Sequence, residues 1–336
     1  MLADSLREVH DVLTVVLGLA GALVYGAADF LGGLASRKIS ALRVTALGAL
    51  VGVGVLSLAA IVVPGQLSPA ALLWGALSGV TGAAAIALLY ACLAIGPMSI
   101  LSPLTAVTSA IIPLTWGLAT GSQLGVIAYP AFALALVAVV LVGFVPGVEA
   151  VRPSARGLLM ATGSGIMIGA FYILIDQTPD DSGFIPLVAN RVVNASIMIT
   201  LIVVLAVIAA RRHVRATDAP LAVIDGMHGA PHPVVSPAQN GAQPQSLLRA
   251  SAAALRGGWR GGLLLALFGG TLDAIANIIV LIGLRIGDLS IVSVLTALYP
   301  AGTILLAALV LRERIAPLQW VGLALALVAS SMLALA

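Results

Sequence analysis

Long apolar runs separated by short polar turns dominate the sequence. A helix that crosses the hydrocarbon core of a bilayer needs about 20 predominantly apolar residues. Leu, Val, Ile and Ala are interleaved with 36 Gly residues, without the strict alternation of polar and apolar positions that barrel strands require. The pattern therefore predicts ten transmembrane helices, over residues 13–35, 41–64, 69–94, 98–119, 124–146, 157–176, 184–210, 261–284, 289–311 and 317–335.

An internal repeat relates the two halves of the chain. A shift of 191 residues aligns GPMSILSPLTAVTSA (96–110) with GDLSIVSVLTALYPA (287–301), with eight identities in fifteen positions. The same shift aligns ALALVA at 133–138 with ALALVA at 324–329 without a gap. Predicted helices 3–5 therefore correspond to predicted helices 8–10, and each half holds five spans.

The repeat predicts how the two halves are oriented. Five is an odd number of spans, so the second half enters the membrane from the opposite side and is inverted. Inverted repeats are typical of secondary transporters, whose substrate site lies near the midplane between the halves. We expect an all-α polytopic membrane protein with an N-terminal tail (1–12), a first five-helix repeat (13–147) and a second five-helix repeat (157–335).

One polar segment, residues 211–260, interrupts the second repeat. It contains six Arg residues together with Pro, Gln and Asn, a composition typical of a flexible linker. The histidines His213, His228 and His232 also lie there. Nothing rigid holds these side chains together, so no metal site and no cofactor are expected.

Composition supports the membrane assignment. Of the 336 residues, 61% are apolar and 9% are charged, whereas a soluble domain carries roughly a quarter of its residues as charged ones. The basic residues behind the net charge of +3 lie between the apolar runs, which indicates membrane topology and not a nucleic-acid partner. The one cysteine, Cys92, lies within an apolar run, so an internal disulfide and a thiolate metal cluster are excluded.

The basic residues also predict which side of the protein faces the cytoplasm. The connections after the odd-numbered helices and the residues beside them hold 13 of the 16 Lys and Arg residues. Cytoplasmic loops carry an excess of these residues. We therefore expect a multi-pass protein of the cytoplasmic (inner) membrane, with the linker in the cytoplasm and both termini outside.

Four ionisable side chains fall within predicted spans, where a charge is costly and marks a functional candidate. Asp273 is the strongest, because Asn277 lies one turn further on the same helix face and a carboxylate in a cavity can exchange a proton. The alternative is a structural role for Asp273, in which a group on a neighbouring helix pairs with its carboxylate. Arg191 binds a substrate carboxylate, extends its side chain to the membrane interface or, as is slightly favoured, neutralises an aspartate. For Asp29, a role in the substrate pathway and a structural hydrogen bond are equally favoured. Asp176 is expected at the membrane–water interface.

Repeated hydroxyl groups offer a second kind of candidate. Ser102 and Thr105 have repeat counterparts in Ser293 and Thr296, and each pair has the spacing i, i+3 that shares one helix face. These hydroxyls either line the pathway or donate to carbonyls of their own helix, which is common in membrane helices. Tyr299 either contacts substrate or anchors the span at the membrane interface.

The C-terminal stretch LYPAGTILLAALVLRERIAPLQWVGLALALVASSMLALA (298–336) carries a family resemblance. It resembles the closing segment of the EamA family of the drug/metabolite transporter superfamily. In that pattern a Pro is followed by a short Arg/Glu turn and a Gly-rich last helix. Pro300, Glu313 and Gly322 occupy these positions here.

Other parts of the chain extend the resemblance. YGAADFLGGLASRK (25–38) resembles the family's first helix, and Arg43 and Arg191 match the Arg often found early in the second helix of each half. The first half departs from the pattern, because Gly, Ser and Gln at 121–123 replace the acidic turn. Family members usually have both termini in the cytoplasm, which is opposite to the orientation that the charges predict.

The resemblance covers nearly the whole chain outside the linker and implies a carrier of small metabolites or drugs. We expect a secondary active transporter that works by alternating access, acts as an exporter, and couples transport to protons through Asp273 and Asp29. It would bind a small-molecule substrate within the lipid bilayer, as a monomer or homodimer. A passive channel or facilitator and a membrane-embedded sensor or scaffold remain alternatives. No HExxH, GxSxG or GxxxxGK[ST] motif occurs, so neither an enzyme nor an ATP-driven pump is expected.

Overall fold

The computed structural model describes residues 2–36, 38–39, 41–95, 98–122, 124–143, 154–217, 244–312 and 315–335. Across these residues the secondary structure is helical, and no strand occurs among them. A backbone in lipid has no water to bond with, so apolar segments satisfy their N–H and C=O groups within helices. The predicted fold class is thus confirmed at the level of an all-helical chain.

Eleven α-helices follow one another in the described residues. They are α1 (Leu2–Ser36), α2 (Ala41–Val62), α3 (Pro69–Ile95), α4 (Met98–Thr120), α5 (Ala128–Gly143), α6 (Ala155–Asp176), α7 (Ile185–Thr217), α8 (Pro244–Ile286), α9 (Leu289–Thr296), α10 (Tyr299–Val310) and α11 (Pro317–Leu333).

Eight candidate membrane spans, judged by length and composition, occur in the described part of the chain. One of the eight is formed by α9 and α10 together. Helices α5 and α11 are also apolar but have only 16 and 17 residues. Each of the ten runs predicted from the sequence therefore contains an apolar helix, and two of these helices are short for a full crossing.

The ninth predicted helix is divided into α9 and α10. Pro300 has no backbone N–H, so the usual hydrogen bond to the carbonyl four residues earlier is missing. The N–H groups of Leu298 and Ala301 instead donate to carbonyls three residues earlier, at 3.1 and 2.8 Å. The break places irregular backbone in the middle of a candidate span.

Three boundaries differ from the sequence prediction. Helix α1 begins at Leu2, so residues expected in the N-terminal tail continue the first helix. Helix α7 continues to Thr217 and α8 begins at Pro244, so helices occupy both ends of the segment predicted to be a flexible linker. Its centre, 218–243, lies outside the described residues. A hydropathy pattern locates the apolar part of a helix and does not detect its polar extensions.

Most helix contacts join the two halves of the chain. Helix α1 packs mainly on α8 and also on α9 and α10, while α6 packs on α3 and α4. Helix α2 contacts α7 and α8, and α7 also contacts α3. The pairs α4–α9 and α5–α11 complete the arrangement. The halves are therefore interlocked, and neither forms a separate core.

The connections alternate between the two ends of this bundle. One end holds the last turns of α1, α3, α5, α7 and α10 and the first turns of the helices that follow them, and we call it the linker end because α7 ends and α8 begins there. The opposite end, which we call the far end, carries the connections 63–68, 121–127, 177–184 and 287–288.

Candidate functional site

An ion pair between two spans lies in the interior of the bundle. Nη2 of Arg191 in α7 donates to Oδ2 of Asp273 in α8. The Arg191 side chain is 10% exposed and that of Asp273 is 31% exposed, so the pair is accessible mainly from the aspartate side. A methyl group at Gly52 of α2 would lie 3.1 Å from Cδ of Arg191. Helices α2, α7 and α8 therefore meet at this pair.

Three asparagines lie near the ion pair in sequence. Asn277 donates to the backbone carbonyl of Asp273 at 2.7 Å, so its amide is used within α8. Asn190 donates to Oγ of Ser78 in α3 at 2.8 Å. Among the described side chains, Oδ1 of Asn194 is buried without a hydrogen-bond partner, as is Nε of Arg191. Both of these atoms can still bind water or a ligand.

Asp29 is an exposed carboxylate on the inward face of α1. At 3.6 residues per turn it lies about 120° to 140° around the helix from Leu23 and Val16. Those two apolar side chains are 52% and 54% exposed and mark the lipid face. Ala22 and Gly26, on the same side of α1 as Asp29, are buried. Asp29 therefore lies on the face that α1 turns toward the other helices, and its side chain is exposed there.

The space beside Asp29 continues toward the linker end. Gly33 is one turn further along the same face, is exposed, and has no atom within 4 Å of the position where a methyl group would be. Toward the far end the same face is closed, because a methyl group at Gly18 would lie 2.9 Å from Cβ of Leu295. We call this space the Asp29 cleft.

Three tyrosines lie in the same region as the two carboxylates. Tyr25 of α1, Tyr172 of α6 and Tyr299 of α10 all lie within electrostatic range of Asp29. Tyr25 and Tyr172 are also within range of Asp273, and the two carboxylates are within range of each other. Side chains from five helices thus form one site of carboxylate, guanidinium and phenol groups.

The break between α9 and α10 positions Tyr299 beside α1. A methyl group at Gly26 would lie 2.5 Å from the Tyr299 carbonyl oxygen and 2.7 Å from Cα of Gly302. The Thr303 hydroxyl donates to the Gly26 carbonyl at 3.1 Å. Gly26 is one turn before Asp29, so the start of α10 lies at the level of that carboxylate. A glycine is required here because the two backbones are in contact.

The hydroxyl groups matched by the repeat are buried and hydrogen-bonded. Thr105 donates to a carbonyl of its own helix and to that of Ala161 in α6, at 3.0 and 3.1 Å. Ser293 and Thr296 donate to carbonyls of α9 at 3.2 and 2.7 Å. The side chain of Ser102 lies outside the described part. The geometry of the three described hydroxyls fits the structural alternative, since none of them is exposed to the Asp29 cleft.

Contacts between loops hold part of the far end together. Arg285 in the last turn of α8 donates to the Gly183 carbonyl at 2.7 Å and to the Ser182 hydroxyl at 3.1 Å. The N–H of Gln66 donates to a carbonyl of the same turn at 2.7 Å. Gly65 lies so close to the backbone of this turn that a methyl group does not fit. The connections after α2 and α6 are thus held together, and Arg285 ties α8 to them.

Two other concavities lie away from the Asp29 cleft. A cavity of about 300 Å³ at the far end is lined by Asp176 and Asp288, which fits the interfacial place expected for Asp176. A larger groove of about 530 Å³ between α2, α3 and α7 is almost wholly apolar. Its lining includes Ile61 and Leu67, whose side chains are strongly exposed, so this groove faces lipid. In the described residues no group of three or more His, Cys, Asp or Glu side chains is arranged to hold a metal.

Tyr172 and Arg285 are functional candidates that sequence reasoning missed. A phenol near the end of an apolar run does not reveal whether it faces lipid or the interior, so Tyr172 has no local signal. Arg285 has one, because the acidic turn DQTPDDSG (176–183) occupies a connection at the same end of the bundle. Opposite charges at one end of neighbouring spans predict a contact there.

Comparison with known proteins supports the resemblance noted in the sequence. Residues 245–335 match the model of the EamA-like transporter family, which confirms the resemblance over that segment. A solved crystal structure with 16% sequence identity superposes on 95% of this chain and 95% of its own with a TM-score of 0.60, so the two share a fold. No curated protein sequence matches the chain. The family match indicates a multi-pass membrane transporter of the drug/metabolite type.

Proposed function

We propose that this EamA-like chain is a secondary active transporter that exports small metabolites or drugs by alternating access. The observation that carries the proposal is the Asp29 cleft, which is open along α1 toward the linker end while loop contacts hold part of the far end together. A carrier exposes its site to one side at a time. A passive channel or facilitator needs a path through both ends, so these far-end contacts favour a carrier.

The helix contacts support a pair of inverted five-helix repeats, with α9 and α10 counted as one span. Helices α1 to α5 then correspond to α6, α7, α8, α9–α10 and α11. The packing of α1 on α8 and α9–α10 corresponds to that of α6 on α3 and α4, and α2 on α8 corresponds to α7 on α3. Each of the pairs α2–α7, α4–α9 and α5–α11 joins two helices that are equivalent in the repeat, so exchanging the two halves leaves the pair unchanged. A two-fold axis in the membrane plane relates halves in this way.

Glycines matched by the 191-residue shift make equivalent contacts. Gly79 of α3 packs on α7, where a methyl group would lie 2.5 Å from the Asn190 carbonyl oxygen. Its counterpart Gly270 of α8 packs on α2, where a methyl group would lie 2.6 Å from Cα of Gly48. Equivalent helices thus approach closely through equivalent small residues, as membrane helix packing favours.

The open side of the cleft fits the loading state of an exporter and equally the release state of an importer, so the metabolite comparison described below decides the direction. The linker end carries most of the basic residues and is predicted to face the cytoplasm of a cell whose inner membrane holds the protein. In this conformation a substrate reaches Asp29 from that side. A state that loads from the cytoplasm and is closed toward the outside is the loading state of an exporter.

Asp273 and Asp29 are our candidates for proton coupling. Asp273→Asn is expected to abolish transport driven by a pH gradient while the protein stays folded and inserted, because the variant cannot exchange a proton at this position. Uptake into proteoliposomes with and without a pH gradient measures the effect, and Asp176→Asn, at the far-end cavity, is the matched control. Transport by Asp273→Asn at the rate of the unaltered protein contradicts the coupling role.

An untargeted comparison of metabolites tests the proposed function. Metabolites are measured in the medium and in cells that overproduce the protein, lack it, or carry Asp29→Asn. We expect one chemical class to accumulate in the medium on overproduction and to remain in the cells with Asp29→Asn. If no compound moves in either direction under any of these conditions, the protein is not an exporter, and a sensor or scaffold becomes the better account.

A further inference from the structure

The Asp29 carboxylate has no counter-ion among the described residues. The ion pair in the bundle interior joins Arg191 to Asp273, so that guanidinium is already used. When both carboxylates are ionised, two carboxylates and one guanidinium leave an excess negative charge at the site. Because the surroundings are poorly polarisable, this charge acts on a ligand more strongly than it would in water.

This carboxylate is accessible to a molecule in the cleft. Its side chain is exposed, and Gly33 leaves open space one turn nearer to the linker end. Asp273 is also partly exposed, at 31% of its side-chain surface. A ligand that enters from the linker end therefore meets Asp29 before it meets the Arg191–Asp273 pair.

The surroundings of Asp29 are aromatic. Tyr25, Tyr172 and Tyr299 come from three helices and lie within electrostatic range of the carboxylate. The face of a phenol ring attracts a cation through its quadrupole and also packs against apolar groups. Hydrated inorganic cations need several oxygen ligands at short range, whereas one carboxylate of this site, Asp29, has no counter-ion among the described residues.

We propose that the Asp29 cleft binds organic cations, with an ammonium group on the Asp29 carboxylate and the apolar part of the molecule against Tyr25 and Tyr299, which are half-buried. This substrate class rests on the proposed transport function and narrows it. An organic anion is repelled by the excess negative charge. A neutral molecule of the same shape loses the attraction to Asp29 and binds more weakly.

Three probes of the same shape and different charge test the proposal on the unaltered protein. Purified protein in detergent is loaded with radiolabelled tetraphenylphosphonium, and benzylammonium, benzyl alcohol and benzoate are compared as competitors. Benzylammonium is expected to displace the label at concentrations at least about tenfold lower than benzyl alcohol or benzoate do. The reason is that pairing two opposite charges in a site of low polarity increases the affinity by at least about that factor. Equal displacement by benzoate, or displacement by Na⁺ but not by benzylammonium, overturns the proposal.

Variants locate the binding site. Asp29→Asn is expected to weaken tetraphenylphosphonium binding at least about tenfold, while Asp29→Glu keeps most of it because the charge is retained. Asp176→Asn is the matched control, since it removes a carboxylate of the far-end cavity. If Asp29→Asn does not fold, judged by its melting temperature, the competition series on the unaltered protein still decides. Unchanged binding by a folded Asp29→Asn protein overturns the assignment to Asp29.

Transport distinguishes this inference from the proposed function. If the protein in liposomes binds the organic cations but never moves them, the carrier proposal fails and the cation site stands. If the metabolites that it exports from cells are anionic or neutral and the cations do not bind, the cation site fails and the carrier proposal stands.

Discussion

The Arg191–Asp273 pair illustrates how a charge is kept within a bilayer. A charged side chain at the centre of a membrane helix costs about 2.5–3.5 kcal/mol on insertion scales, and pairing offsets part of this cost. The two residues are 82 positions apart and come from different helices. Their contact therefore depends on how α7 and α8 pack, and removal of one partner leaves the other charge uncompensated.

Arg191→Met is expected to lower the free energy of unfolding by about 1–3 kcal/mol, which is below the range for fully buried pairs because Asp273 is partly exposed. The double variant Arg191→Met/Asp273→Leu is expected to regain part of this loss, since it leaves no unpaired charge. Unfolding in detergent measures all variants, with Arg43→Met at an exposed position as the control. If the two single effects simply add in the double variant, the residues are not energetically coupled.

The sequence shows which charged residues lie within apolar runs but not which of them are in contact. Asp29, Asp273 and Arg191 stand out because they interrupt apolar runs. The sequence slightly favours a structural pairing of Arg191 with an aspartate, and the choice of Asp273 over Asp29 follows from packing alone. That choice leaves Asp29 without a counter-ion in the described part of the chain, and no local pattern predicts it.

Helix α1 shows how one element serves two purposes. Between Gly18 and Gly26 its inward face lies directly against α9 and α10, while from Asp29 onward the same face borders open space. The change occurs within one turn. Small residues allow the close approach, and the carboxylate begins where the packing ends.

Gly26→Ala and Gly33→Ala form a matched pair that tests this description. At Gly26 the new methyl group collides with the α10 backbone, so the free energy of unfolding is expected to fall by about 1–3 kcal/mol. At Gly33 it enters open space, and a change within about 0.5 kcal/mol is expected. Melting of both purified variants in the same detergent compares them. Equal destabilisation shows that the two ends of this face are not differently packed.

Elements are predicted well where hydropathy determines them and poorly where it does not. Each apolar run contains a helix, because lipid leaves the backbone no other way to satisfy its hydrogen bonds. The extension of α7 to Thr217 and the start of α8 at Pro244 are polar and were missed. Pro300 indicates a kink, but the full division into α9 and α10 follows from the backbone contacts with α1.

The two ends of the whole molecule differ in a way that a carrier requires. At the far end Arg285 and Gly65 hold the connections together, and at the linker end the Asp29 cleft is open. The internal repeat in the sequence predicts two related halves and a site between them. It does not predict which end is closed, because both conformations of a carrier are built from the same sequence.

Distances across both ends, measured by paired spin labels in nanodiscs, test alternating access most directly. Cys92 is first replaced by Ser, and labels are placed at Gln66 and Asp181 at the far end or at Lys38 and Arg156 at the linker end, all exposed positions. Arg285→Ala removes the hydrogen bonds that hold the far end closed. We predict that this substitution lengthens the far-end distance and shortens the linker-end distance. If both distances lengthen together, or the far end opens while the linker end stays unchanged, the molecule does not alternate and is not the carrier proposed.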